Sequence, residues 1–175
     1  IGLDENTVTE ICEKAGAGTT LSAANFNCPG QIVISGEVKS CRKAAEMAEE
    51  AGCLKAVELD VAGAFHTEMM SSAADTLKQA LIETVIKTPD HIKTPANYSA
   101  EYYETADQIR TGLVRQLTSP VLWQKCMQKL LNEEIDNFYE IGPGRVLTGL
   151  TRRINRKTRV NNISSLKSVK DQTDS

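Results

Sequence analysis

Residues 1–59 alternate between short apolar runs and helix-like stretches that end at glycine, and this rhythm limits the fold more than any other feature of the chain. Ile1-Gly2-Leu3 reads as the last residues of a strand, followed at once by Asp4 as a helix cap. A helix is expected over Asp4–Ala15, with Gly16 beyond its end where a left-handed stop residue belongs. Leu21–Phe26 reads as a strand, Asn27-Cys28-Pro29-Gly30 as a turn, and Gln31–Ser35 as a second strand through the continuous run Ile32-Val33-Ile34. Glu37–Ala51 puts Val38, Cys41, Ala45 and Ala48 on one helical face before Gly52, and Leu54–Leu59 is a further strand. The order β-α-β-β-α-β predicts a ferredoxin-like unit whose first strand is truncated.

The pattern changes after His66. Glu68–Val85 carries Met69, Ala73, Leu77 and Leu81 at helical spacing, and Ile92–Tyr98 reads as an edge strand interrupted by Pro95. Ala106–Leu117 is helical, and Ser119-Pro120 reads as the capped start of a helix running to Asn132. Asn137–Ile141 reads as a buried strand leading through Gly142-Pro143-Gly144 into a helix to Ile154, with a short strand at Val160–Ile163. This alternation predicts part of a parallel α/β sheet. The expected organisation is a small subdomain over 1–57, part of a larger α/β domain over 58–165, and a polar, disordered tail over 166–175. A start in mid-strand, without methionine, leads us to expect a piece of a longer polypeptide.

The bulk numbers narrow the function. Of 175 residues 41% are apolar and 25% charged, as in ordinary water-soluble proteins, and the net charge of −3 gives no reason to expect nucleic-acid binding. No apolar run reaches the roughly 18 residues a membrane helix needs. Five cysteines without C-x-x-C spacing read as reduced thiols of a cytoplasmic protein, with an organelle left open, and not as a disulfide framework or a metal site.

One of the two histidines, His66, ends the run Val61-Ala62-Gly63-Ala64-Phe65-His66 just after the Leu54–Leu59 strand. Reactive groups of α/β proteins sit in such strand-end loops, and imidazole is the side chain suited to proton transfer near neutral pH. The plainer reading of His66 is a loop residue that caps the following helix.

Five segments in order resemble a known family. They are Asn25-Phe26-Asn27-Cys28-Pro29-Gly30-Gln31-Ile32-Val33-Ile34-Ser35-Gly36, Gly63-Ala64-Phe65-His66, Val114-Arg115-Gln116-Leu117, Ser119-Pro120-Val121-Leu122-Trp123, and Glu140-Ile141-Gly142-Pro143-Gly144-Arg145-Val146-Leu147-Thr148-Gly149-Leu150. Together, over residues 1 to about 155, the chain resembles the C-terminal half of malonyl-CoA:acyl carrier protein transacylases. The resemblance implies an α/β-hydrolase-like large domain carrying a ferredoxin-like insert. It also implies ping-pong malonyl transfer from coenzyme A to the phosphopantetheine thiol of acyl carrier protein, in fatty acid synthesis. The family's serine stands in a G-x-S-x-G elbow, which does not occur in these 175 residues. The resemblance therefore implies an N-terminal half supplying serine, carboxylate-binding arginine and an oxyanion donor, without which this chain is expected to be inactive.

By the same resemblance His66 is the catalytic base, oriented by a backbone carbonyl near Gln116 rather than by a carboxylate, with Asp60 a surface residue. Phe65 implies a preference for malonyl over methylmalonyl because its ring leaves no space for an α-methyl group, although core packing also accounts for a Phe there. Gln116 stands beside the catalytic pair or simply occupies an exposed helix face, and Asn25 and Asn27 face the cleft, where they bond acyl or pantetheine groups or simply serve the turn. Arg152, Arg153 and Arg156, in the one strongly basic stretch, suit docking of an acidic carrier protein, or form a solvated face. No metal or redox cofactor is expected, since coenzyme A and phosphopantetheine enter as parts of substrates. The rival readings are an acyltransferase of the same fold with another acyl group, and a non-catalytic fragment that binds carrier protein.

Overall fold

The structure is a computed structural model that describes residues 1–133, 135 and 137–173. It forms two compact units, Ile1–Cys126 and Met127–Ser175. The architecture is mixed α/β, with one small antiparallel and one small parallel sheet.

In the first unit Asp4 caps α1 (Glu5–Ala15), its carboxylate accepting from the Thr7 amide and the Thr7 hydroxyl at 2.9 Å each. Gly16 closes α1 with its N–H on the Cys12 carbonyl, but at φ −91° it is not left-handed. The left-handed turn comes two residues later, at Gly18 (φ +80°). Gly16 is small for another reason, since a Cβ there would meet the Cys12 carbonyl oxygen and Leu21 Cβ at 2.8 Å. β1 (Leu21–Cys28) and β2 (Gln31–Gly36) pair antiparallel from Leu21↔Gly36 to Cys28↔Gln31. The two-residue loop between them has Pro29 with φ preset and Gly30 at φ +69°. Bulges fall between Ala23 and Asn25 and between Phe26 and Cys28.

The α1 and α2 (Val38–Glu50) helices pack together around Ile11, Ala15 and Ala44, with Leu3, Leu21, Ile34, Met47 and Ala48 against that core. Burial of a side chain such as Ile11 is worth roughly 1.5–3 kcal/mol. Cys12 lies in the same layer, where burial first, and then the nearby Cys41 and Glu13, push its thiol up to about 11.

The expected strand Leu54–Leu59 is not a strand. Among the described residues its backbone hydrogen bonds run to Ile1, from the Leu54 and Lys55 amides to the Ile1 carbonyl and from the Ile1 nitrogen to the Lys55 carbonyl. A strand exists by its ladder, and one residue of partner is too little to make one.

Glu68–Met70 forms a short 3-10 turn that leads into α3 (Ser71–Ile82), which packs on α4 (Ala106–Gln116). A reciprocal capping box of Thr105 and Gln108 starts α4. Ile92–Tyr98 is not a strand either. Pro95 cannot donate to a ladder, and the segment keeps one isolated bridge, Pro95↔Tyr102. The helix expected from Ser119 begins later, as α5 (Trp123–Asn132), because Val121 is taken into β pairing with β1.

The second unit is a β-α-β unit. Parallel β3 (Phe138–Ile141) and β4 (Val160–Ile163) flank α6 (Val146–Ile154), in register from Phe138↔Val160 to Ile141↔Ile163. β3 is not buried as expected, with Tyr139 52% and Ile141 79% exposed. A two-stranded parallel sheet has few neighbours to cover its faces. The tail expected to be disordered from 166 instead forms α7 (Leu166–Thr173), started by Ser165 and Ser168, which exchange backbone and hydroxyl bonds. Residues 174 and 175 lie outside the described residues.

Glu140 ties this unit together. It is 9% exposed and accepts from the Leu147 and Thr148 amides at 2.9 Å, the Thr148 hydroxyl at 2.6 Å and the Asn162 amide at 2.9 Å. Burial pushes its carboxyl up, but the bonds from Thr148, Leu147 and Asn162 together outweigh it and hold the pKa below its ordinary 4.5. A lowered folded pKa stabilises above the unfolded value and loses that stability as pH falls through the folded one. Glu140→Gln is therefore expected to speed amide exchange at Leu147 and Thr148 near neutral pH. The gap to the unsubstituted chain should close below about pH 4.5, and an equal gap at all pH values would contradict the assignment.

Candidate active site

The run Gly63–Thr67 is an irregular loop between the 54–59 segment and the 3-10 turn. Thr67, 2% exposed, closes it, its hydroxyl donating to the Ala64 carbonyl at 2.7 Å and accepting from the Met69 amide at 3.3 Å. This residue was missed in the sequence reading, although a Thr directly before a helical run is a capping signal.

His66 has φ +65°, in the left-handed region that non-glycine residues enter sparingly. Two bonds hold it there. Its amide donates to the Leu117 carbonyl at 3.0 Å, and ring Nδ1 lies 2.8 Å from the Gln116 carbonyl. Both acceptors stand at the C-terminal end of α4, where helix carbonyls lack intrahelical partners. A carbonyl can only accept, so the bond requires the proton on Nδ1 and, in the neutral ring, leaves the lone pair on Nε2. Strain of about 1–3 kcal/mol at a non-glycine left-handed residue persists only where surroundings over-determine it, and here both ends of the residue are tied. The arrangement can accept a proton at Nε2 from a hydroxyl or thiol while the far side of the ring stays anchored.

Gln116 joins the two sides of the site. Its carbonyl takes the His66 ring, and its side-chain amide donates to the Ser119 and Pro120 carbonyls at 3.0 and 3.3 Å. That clamp delivers Val121 to β1, where the Phe26 amide donates to the Val121 carbonyl and the Val121 amide to the Ala24 carbonyl, each at 2.8 Å. Asn25 therefore stands at the bridge with Val121, half-buried between two bulges, with Asn27 half-buried further along the strand. Phe65, beside the histidine, is 42% exposed. Asp60 and His91 are exposed.

Arg152, Arg153 and Arg156 lie in the second unit, exposed, the first two in the last turn of α6. No helix among the described residues is long and apolar enough to cross a membrane, and no group of three His, Cys, Asp or Glu side chains there could hold a metal ion.

No family model matches the sequence. The malonyl CoA-acyl carrier protein transacylase of Bacillus subtilis is 38% identical over 170 residues, which are 97% of this chain and 53% of that protein. A crystal structure of an acyl-carrier-protein S-malonyltransferase from Burkholderia pseudomallei superimposes with a TM-score of 0.94 at 34% identity, covering 100% of this chain and 57% of the other. A malonyl-transacylase solved in complex with a type II polyketide acyl-carrier protein gives a TM-score of 0.92 at 34% identity, covering 97% and 54%. The chain thus spans about half the length of the curated relatives it matches.

Proposed function

This chain matches the C-terminal half of the malonyl-CoA:acyl carrier protein transacylases over nearly its full length, and from that premise we propose that it carries the acid–base half of their active site. The observation that carries the reading is the His66 ring, fixed through Nδ1 on the Gln116 carbonyl with Nε2 left as acceptor. In the assembled enzyme a serine hydroxyl from the N-terminal half attacks the malonyl thioester carbonyl. His66 Nε2 takes the hydroxyl proton and returns it to the departing coenzyme A thiolate. In the second half-reaction the phosphopantetheine thiol gives its proton to Nε2 and attacks the malonyl-serine ester, and the serine oxygen recovers the proton as it leaves. Anchoring by a neutral carbonyl orients the ring with no carboxylate partner.

Residues 1–57 form the ferredoxin-like small subdomain in this reading, and 58–165 belong to the α/β-hydrolase-like large domain. Asn25, Asn27 and Gln116 line the acyl and pantetheine path, and Arg152, Arg153 and Arg156 meet the acidic carrier protein. The setting is the cytoplasm, where the five cysteines stay reduced.

The test combines this chain with the N-terminal half of the Bacillus subtilis relative and follows acyl transfer from malonyl-, methylmalonyl- and acetyl-CoA to acyl carrier protein. Malonyl transfer is expected to dominate, and equal turnover of all three would overturn the malonyl assignment. Phe65→Ala is expected to raise methylmalonyl relative to malonyl turnover by roughly 10–100-fold, the range that one methyl group allows in a pocket. An unchanged ratio would remove Phe65 from the acyl site.

A further inference from the structure

We propose that Thr67 is a positioning residue for proton transfer at His66, acting through its hydroxyl on the turn that carries the ring. This role rests on the reading of His66 as the base and adds to it the group that keeps the base in place. Ala64–Thr67 form a turn with Phe65 and His66 at its centre. Of these two, His66 alone has positive φ, at +65°. Those are the φ signs of a type II turn, whose third position ordinarily goes to glycine. An imidazole stays there only while its surroundings hold the two ends of the turn together. The Thr67 hydroxyl holds them, donating across the turn to the Ala64 carbonyl at 2.7 Å.

Thr67 also fixes where the turn sits. Its hydroxyl accepts from the Met69 amide at 3.3 Å and its carbonyl from the Met70 amide at 3.0 Å, so it is built into the 3-10 turn that leads into α3. The other side is held at the C-terminal end of α4, by the Leu117 carbonyl on the His66 amide and the Gln116 carbonyl on the ring. The α3 and α4 helices pack on each other. His66 is therefore suspended between two packed helices, and Thr67 links it to the α3 side.

The hydroxyl, rather than the bulk of the side chain, makes that link. Thr67 is 2% exposed, and backbone groups meet its hydroxyl both as donor and as acceptor. Valine has nearly the same shape but would take this partner away from the Ala64 carbonyl and the Met69 amide. Serine keeps both bonds and gives up one methyl group. The turn should therefore open in a valine variant and stay closed in a serine variant, and an open turn lets the ring leave the Gln116 carbonyl.

The test compares Thr67→Ser, Thr67→Val and the unsubstituted chain in two readouts. In the chain alone, labelled with nitrogen-15 at histidine, the unsubstituted and serine forms are expected to hold His66 as the Nδ1–H tautomer. The valine form is expected to average between tautomers, with the ring proton exchanging about tenfold faster or more. After mixing with the N-terminal half of the Bacillus subtilis relative, Thr67→Val is expected to lower kcat for malonyl transfer by about ten- to a hundredfold at nearly unchanged KM. Thr67→Ser should stay within about threefold of the unsubstituted enzyme. If the valine variant does not fold, the unsubstituted chain still decides, since its Thr67 hydroxyl proton is expected as a resolved, slowly exchanging resonance. A hydroxyl proton in fast exchange with water, or equal losses in the serine and valine variants, would overturn the proposal. An anchored ring in the valine form would defeat the role of Thr67 alone, whereas a released ring with undiminished malonyl transfer would defeat the reading of His66 as the base.

Discussion

Replacing His66 by alanine in the assembled enzyme is expected to lower malonyl transfer by about 10²–10⁴-fold, the usual worth of a positioned general base. The loss should fall on kcat, with KM for malonyl-CoA nearly unchanged, because in the proposed role the ring meets the reacting proton and not the coenzyme. Alanine also carries the cost of the left-handed backbone at φ +65°. His66→Asn separates the two effects, since Asn accepts that conformation readily but cannot serve as the base. Equal loss in both variants, with unchanged circular dichroism, places the effect in proton transfer. Recovery of most activity in the Asn variant would mean that His66 only shapes the loop.

Gly36→Ala is expected to give the largest loss of stability among single-methyl changes in the first unit. A Cβ on Gly36 would overlap the Thr20 carbonyl oxygen and approach Leu21 Cα at 2.7 Å. Both obstacles are backbone, and the same Thr20 oxygen accepts the Glu37 amide, so neither can swing aside as a side chain could. Overpacking costs roughly 1–3 kcal/mol, and this site belongs at the upper end. Against a total stability of about 5–15 kcal/mol, that is a clear fall in the urea midpoint. Gly149→Ala is the matched control. It lies inside α6 with nothing within 4 Å of the added carbon, and is expected to gain about 0.5–1 kcal/mol from helix propensity alone. A Gly36→Ala midpoint equal to that of the unsubstituted chain would show that the Leu21↔Gly36 closure is looser than described.

What the sequence made legible follows from how local each cause is. Asp4, Gly52 and the Pro29-Gly30 turn act within a few residues, and the helices and hairpin of the first third appear where those signals put them, with Gly52 left-handed at φ +83°. Gly16 misled because its constraint is the approach of Leu21, not its own backbone angle. The Leu54–Leu59 and Ile92–Tyr98 segments have strand-like composition, but a ladder needs a partner, and composition cannot report whether one is present. Ser119-Pro120 carries a sound helix-start signal that a distant event overrides, the capture of Val121 by β1.

At the site, His66 stood out because imidazole in a strand-end loop is chemically distinctive. Its φ of +65°, the Leu117 carbonyl and the Thr67 strut arise from contacts that join loop to helix end, and no local pattern announces the first two. Glu140 was visible only as part of a motif, since its four bonds converge from α6 and β4.

Proton transfer at the site depends on which nitrogen of the His66 ring carries the proton. Nitrogen-15 NMR of the chain labelled at histidine reads this directly through long-range couplings to the ring carbons' protons. The Nδ1–H form is expected for His66, with that proton shielded from exchange by the Gln116 carbonyl. An Nε2–H form, or a ring averaging freely between the two, would contradict it.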